Sequence, residues 1–500
     1  MKKLLSICIF NVLTALLTAQ VSKTVNVVTA GTLTTLLTET EKTTITDLTV
    51  TGYIDVTDIK CMRNEMIVLS VLDINAVTIQ AYNGSGGTHS TTFYPANEMP
   101  IYSFYNTNLG TGKGSLKSVI LPNNVTSIGS YAFSFCNSLN TINLTASIKT
   151  INNAAFIGCS ALNEIILPTD LIEIGSYAFA GLTSIIGVVS FPNSLKSIGE
   201  SAFSGCNGIT SFIVQDSNPY LSTLDGVIFN KDLSALILFP LGKSSTYSVP
   251  NSVTSISNYA FNGCTNITTI TFPTGLKGIG NYAFNGCSNI SSLVLPSGLN
   301  SLGICAFSDC SGLQGELNIP ASLNSISEAA FRGCSNISSL IIPAGLTNIG
   351  NGAFWYCNKL RTIYCLNENP PHIGNYCFFG VNSVTDVFVP NDDAIVSFRS
   401  DLWYEGIWPQ GWGGFFQGSI IKKNLTTNLF EKPNDNIKVY SSLSQIIIDG
   451  TLKGERLTIY SLNGKKIQTI ISKGERLNLP VDKDVVYFVR TGEKTFKVIL

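Results

Sequence analysis

Histidine is nearly missing from this 500-residue sequence, His89 and His372 being the two present. So few imidazoles leave no material for Ser-His-Asp catalysis, an H-E-x-x-H zinc site or a His-rich metal cage. Charge is scarce as well: Asp, Glu, Lys and Arg make up 13% of residues, and the formal net charge is −1. Such a chain lacks the basic patch that nucleic acid or an anionic membrane surface requires. No G-x-S-x-G elbow is present, and acidic residues recur in no repeated column that could pair them as glycosidase carboxylates. A long apolar run occurs once, from Leu4 to Leu17 between Met1-Lys-Lys and the small residue Ala19. That is the pattern of a secretory signal peptide over 1–19, cleaved after Ala19. Cys8 sits inside the run rather than at its end, which argues against a lipoprotein-type anchor. No later stretch reaches the ~18 apolar residues of a membrane-spanning helix. These absences leave no expected enzyme activity, cofactor, metal or membrane span.

What the sequence has is a repeated phrase, Leu276-Lys-Gly-Ile-Gly-Asn-Tyr-Ala-Phe284-Asn-Gly-Cys287-Ser-Asn-Ile290-Ser-Ser-Leu293-Val-Leu295-Pro296. The Phe of each Ala-Phe pair sets the beat. Phe133, Phe156 and Phe179 are 23 apart, with Phe203 at 24; Phe261, Phe284 and Phe307 are 23 apart; Phe331, Phe354 and the variant Phe378 follow at 24, 23 and 24. A period in the 20–29 range with a Leu-x-x-Ile-x-Leu skeleton predicts a right-handed leucine-rich-repeat solenoid, mainly β with short helices and turns. One such unit cannot hide its own apolar positions, so neighbours must stack into a continuous core. Leu293-Val-Leu295 reads as a short strand with two inward residues, ended by Pro296 because proline lacks the N–H a ladder needs. The Gly after Ile, or after Leu302 at Gly303 (Gly280, Gly303 and Gly350 among them), is read as the place where the backbone bends before Ala-Phe.

These units resemble the BspA-like, or Treponema pallidum-type, leucine-rich repeats of bacterial surface proteins, whose pattern is Leu-x-x-Ile-x-Leu-Pro followed by Leu-x-x-Ile-Gly-x-x-Ala-Phe-x-x-Cys. The resemblance covers about 115–390, over half the chain. Departures are Leu182 for Cys, Thr145 for Pro, and 215–250, where Tyr220-Leu-Ser-Thr-Leu-Asp-Gly-Val-Ile-Phe-Asn resembles a longer variant unit.

Thirteen cysteines could signal a disulfide scaffold. Eight of them, Cys136, Cys159, Cys206, Cys264, Cys287, Cys310, Cys334 and Cys357, instead fall three residues after a repeat Phe. They form one column, each a small buried hydrophobe. Parallel side chains on successive coils point alike, which disfavours the disulfide torsion, so mostly free thiols are expected. Cys61, Cys305, Cys365 and Cys377 lie off that column, and the sequence leaves their pairing open.

Residues 20–110 lack the beat and read as an N-terminal cap ahead of repeats over 111–390. Thr32 to Glu41 suits a short amphipathic helix, Asp47 to Asp55 a strand, and Leu69-Ser-Val-Leu-Asp-Ile resembles a divergent leucine-rich strand. The loops Gly84-Ser-Gly-Gly and Gly110-Thr-Gly-Lys-Gly lack the full phosphate-loop spacing. Residues 391–423, containing Trp403-Tyr404, Trp408 and Trp412, read as a C-terminal cap, since aromatics after a last coil cover its open edge. The alternative is a carbohydrate platform at 403–412, which would make the chain a carbohydrate-binding accessory protein. Residues 424–436 read as a linker. From 437 to 500, period-2 strands between Gly turns predict a small β-sandwich. This block resembles the type A sorting domain of the type IX secretion system of Bacteroidetes, through Ile459-Tyr-Ser-Leu-Asn-Gly464-Lys465, Val486-Tyr487-Phe488-Val489 and the terminal Lys497-Val-Ile. The Pro-Ser-Gly usual before the Tyr strand is replaced here by Val481-Asp-Lys-Asp. The resemblance implies handling by that secretion machinery, and release or attachment at the outer cell surface.

A solenoid offers one outward residue per coil as an aligned column. Here the column reads Ile120, Asn143, Ile166, Ser190, Ile213, Leu238, Ser248, Thr271, Val294, Asn318, Ile341, Tyr364 and Phe388. Thr, Val and Ile in such a column also simply suit exposed strands; the alternative is a recognition strip whose apolar end, Ile341, Tyr364 and Phe388, is the candidate partner-binding hot spot, because large side chains often anchor interfaces. The expected partner is a protein, and the family resemblance implies host matrix or another cell's surface.

Overall fold

The computed structural model describes residues 20–243, 245–381, 384 and 386–390, and beyond these the strands Ile420–Lys423, Lys438–Ser442, Gln445–Asp449, Arg456–Ser461, Lys466–Ile471, Leu477–Pro480, Val486–Thr491 and Lys494–Ile499. The signal-peptide segment, the Trp segment 403–412 and the linker 424–436 lie outside the described residues.

The chain winds as a solenoid of stacked parallel coils. In the C-terminal half, Gln314–Asn318, Asn336–Ile342, Thr362–Cys365, Asp386–Val389 and Ile420–Lys423 form one parallel sheet in chain order. A turn follows each strand's proline, whose carbonyl accepts from the N–H three residues on, as Pro343 does from Leu346 at 3.1 Å. Two-residue strands then build a second parallel ladder, Glu98–Met99, Ser127–Ile128, Thr150–Ile151, Glu173–Ile174 and Ser197–Ile198. The Ala-Phe arc closes the coil and is itself hydrogen-bonded to the next one, Phe284 N–H donating to Ala306 O and Phe307 N–H to Ala330 O, both at 2.8 Å. Two left-handed residues flank each Phe, for example Tyr282 (φ 55) and Gly286 (φ 73).

Inside, Phe133, Phe156, Phe179, Phe203, Phe261, Phe284, Phe307, Phe331 and Phe354 are all buried. Their rings stack coil upon coil, Phe133 on Phe156 at 5.3 Å and Phe307 on Phe331 at 5.7 Å. Burying one such ring stabilises by roughly 1.5–3 kcal/mol. The described cysteines are all free and buried, including the four off the column. The thiols have a second role: Sγ of Cys159, Cys287, Cys310 and Cys334 donates to the carbonyl of the preceding coil's Phe at 3.0–3.1 Å.

Two features differ from the sequence reading, and the first coils carry the helix and strand expected over 32–41 and 47–55 into the stack itself. The Gly after Ile serves close approach rather than bending: a Cβ on Gly350 would lie 2.5 Å from the backbone N of Glu328 in the coil before. Leu293-Val-Leu295 alternates as a strand would, Val294 outward and Leu295 inward, yet 291–296 carry no strand, and neither do 162–168. The region before residue 111 already contains coils: Ser22–Val27, Asp47–Ile54 and Val71–Ile79 lead by parallel pairing into Ser118–Ile120. Phe104 also stacks on Phe133 at 5.4 Å. In these first coils helices replace the Ala-Phe arc: Leu33–Leu36, Glu39–Thr44 with a Thr38 capping box, and Val56–Asn64 with an Asp55 capping box.

The irregular stretch forms an antiparallel hairpin, Leu221–Leu224 with Val227–Asn230, which continues into Ala235–Leu238. It divides two cores. Ile228 packs with the N-terminal coils, whereas Val227 and Phe229 pack with the C-terminal ones. In the C-terminal block, Lys438–Ser442, Gln445–Asp449 and Leu477–Pro480 form one antiparallel sheet. Lys466–Ile471, Arg456–Ser461, Val486–Thr491 and Lys494–Ile499 form another.

Candidate binding surface

The long-strand ladder places the outward column in strict register over its last coils. Asn318 lies opposite Ile341, Ile341 opposite Tyr364, Tyr364 opposite Phe388, and Phe388 opposite Lys422. The strands alternate, so Leu340, Ile363 and Val387 turn into the core while Ile341, Tyr364 and Phe388 lie half-buried on the surface. The rings of Tyr364 and Phe388 stack at 5.0 Å with planes 13° apart. Two residues earlier on each strand runs a polar column, Glu316, Ser339, Thr362 and Asp386. Burial, and then the carboxylates of Glu316 and Asp386, push the Tyr364 phenol above its usual range. The surface is therefore an apolar ridge beside an acidic margin, with its tyrosine hydroxyl held protonated.

Along the N-terminal coils the same column is sparser. Ile166 is 71% exposed, but Asn143 and Ser190 sit between it and the exposed Ile120 and Ile213. Leu238 does not belong to the column. It lies in the hairpin-linked strand Ala235–Leu238, paired with Ile228, because the insertion displaces it from the long-strand ladder.

Sequence reasoning missed a second aromatic group, on the arcs of the last coils. Trp355 stacks on Tyr376 at 6.0 Å and meets Phe379 edge-on at 5.7 Å, and the Arg332 guanidinium lies 4.9 Å over the Trp355 ring. Tyr356, Tyr376 and Phe379 are exposed. The available signal was the recurrence of Tyr at the left-handed arc positions, Tyr356 and Tyr376 among them. Among the described residues no group of three or more His, Cys, Asp or Glu side chains could hold a metal, and no helix is long and apolar enough to cross a membrane.

No curated protein matches this chain. Among solved structures, the pneumococcal vaccine antigen PcpA is similar at 18% identity, covering 71% of this chain and 76% of its own, with a TM-score of 0.47. A leucine rich cell surface protein from Faecalibacterium prausnitzii is similar at 21% identity, covering 62% and 87%, with a TM-score of 0.42. The T. pallidum leucine rich repeat protein shares 24% identity over 44% and 72%, with a TM-score of 0.25. The family model described as BspA type leucine rich repeat region matches in 6 copies over residues 97–231, 239–361 and 314–400. With most of its length accounted for by those matches, the chain belongs to the BspA type leucine rich repeat family.

Proposed function

We propose that the chain is a secreted, surface-displayed binding protein that holds a protein ligand on the ridge Ile341–Tyr364–Phe388 and performs no catalysis. The observation that carries this is the register: successive coils set Ile341, Tyr364 and Phe388 side by side, half-buried before any partner arrives. Side chains already fixed by their neighbours lose little rotamer freedom on binding, which removes one of the costs of forming an interface. Large side chains on a rigid strand face also suit a hot spot. The partner is a host matrix protein or another cell's surface protein. Export rests on the signal peptide at 1–19, and on recognition of 437–500 by the type IX secretion machinery.

The test is to apply the full chain, without its signal peptide, to immobilised matrix proteins and to a glycan array. Retention on a matrix protein that free glycans do not compete is the expected result. Retention through glycans alone would replace this reading with the carbohydrate-binding one.

A further inference from the structure

Where the two cores meet, the regular bonding between coils fails on one side. In the neighbouring coils the arc donates to its successor: Tyr177 N–H to Glu200 O at 3.0 Å, Phe179 N–H to Ala202 O at 2.8 Å, Gly181 N–H to Ser204 O at 2.7 Å. The same triple recurs at Tyr259, Phe261 and Gly263. At Ser201, Phe203 and Gly205 no such bond is made among the described residues. The short ladder stops at the same coil, since Ser197–Ile198 is the terminal strand of its sheet. One coil earlier, Ile172 O accepts from Lys196 N and Ile174 O from Gly199 N, whereas Lys196 O and Ile198 O accept from no described backbone N–H.

The cause is the hairpin. It takes the chain out of the stack for one arc, and the next full arc belongs to residues 58 positions on. Between these two arcs only side-chain bonds cross among the described residues, Asn258 Nδ2 donating to Glu200 Oε1 at 2.8 Å and Asn262 Nδ2 to Ser204 Oγ at 3.3 Å. Between these walls lies a cleft of about 480 Å³, with Lys196 to Ser201 on one side, Ile237, Leu238 and Ser257 to Tyr259 on the other, and Leu221 beside them. Ser201 lines it, is 6% exposed, and its buried Oγ has no hydrogen-bond partner among the described residues.

We infer that this cleft takes a short extended peptide from a partner, added as a strand beside the edge strand Ser197–Ile198. Carbonyl acceptors at Lys196 and Ile198, and donors at Ser201 N–H and Oγ, are the complement of an extended backbone. They are not the point charges that an anion or a metal needs. The extended edge is the two-residue strand Ser197–Ile198, and the chain turns away at Ser201 (φ 54), so the occupant's ladder is short. Because strand side chains alternate, one side chain of the occupant meets Leu221 and Leu238 while its neighbours pass the polar rim of Lys196 and Glu200. This site is independent of the Tyr364 ridge.

A phage-displayed library of random heptapeptides, selected on the full chain, tests the inference. Enriched peptides should bind Ser197→Trp at least tenfold more weakly at an unchanged melting temperature, because Ser197 is exposed on the cleft wall and a Trp there fills it. Should that variant fold poorly, Ser257→Trp blocks the opposite wall. N-methylation of alternate backbone amides in the selected peptide should abolish binding, a readout that needs no protein variant. Tyr364→Ala should leave peptide affinity unchanged. Failure to enrich any peptide, undiminished affinity for a well-folded Trp variant, or indifference to N-methylation would each overturn it.

Discussion

The thiol of Cys310 lies three residues past Phe307 and donates to the Phe284 carbonyl of the coil before at 3.1 Å. That carbonyl already accepts the N–H of Cys287, so the sulfur fills its second lone pair. A small apolar residue would pack equally well but leave the acceptor half-used, and this explains why the repeat spells Cys rather than Ala. Burial pushes Cys136, Cys206 and Cys357 up to about 12. The thiolate is the reactive form, so these thiols should be inert in the folded protein. With a thiol-reactive aromatic disulfide at pH 8, the column cysteines should stay unlabelled until denaturant is added; labelling of the native chain at the rate of a free cysteine would contradict the burial. Phe, Pro and Cys were legible in the sequence because most of the repeats place them at one position. The sulfur's acceptor was not, since it depends on which carbonyl the preceding coil presents.

Glycine shows how the same residue answers two demands within one coil. Gly286 has φ 73, and a Cβ there would make only an ordinary contact, 3.8 Å from Gly263 Cα, whereas Gly350 has an ordinary φ and a backbone neighbour where a Cβ would stand. Gly286→Ala should cost about 1–2 kcal/mol, the left-handed penalty alone. Gly350→Ala should cost more, since two coils must separate. Urea titrations of the two variants rank them, and the reverse order would sink the close-approach account. In the N-terminal coils, Lys113 closes the end of helix Val56–Asn64, its Nζ donating to Met66 O at 2.6 Å and Arg63 O at 3.4 Å. Burial lowers its pKa from the ordinary 10.5 to about 8. The unfolded chain therefore binds more protons between those values, and stability rises with pH across the window. Lys113's contribution is fully present above pH 10.5 and is lost as pH falls through about 8. Lys113→Met should flatten the rise, and an equal rise in both proteins would refute it. This helix and Phe104 escaped the sequence reading because these coils use helix in place of the Ala-Phe arc, and because Phe104 stands 29 residues before Phe133.

At the scale of the whole molecule, the hairpin strand Val227–Asn230 decides which residues feel one another. Phe156→Ala and Phe331→Ala lie in different cores; each should cost about 3–5 kcal/mol, and together they should add to within about 0.5 kcal/mol. Phe307→Ala with Phe331→Ala, whose rings stack, should depart from additivity. Guanidinium titrations of the three single and two double variants would show it. The hairpin was visible in the sequence as an irregular stretch, but its effect on bonding was not, because the partners it brings together are 58 residues apart and share no repeat signal. The column Ile341, Tyr364 and Phe388 was legible, because a 23- or 24-residue step returns the chain to the same place on each coil. The central claim is that this column is where a partner binds. The most direct measurement is the affinity of the full chain for the matrix protein that retains it, with Tyr364→Ala/Phe388→Ala alongside. A loss of at least tenfold at an unchanged melting temperature is predicted, and undiminished affinity in the double variant would contradict the account.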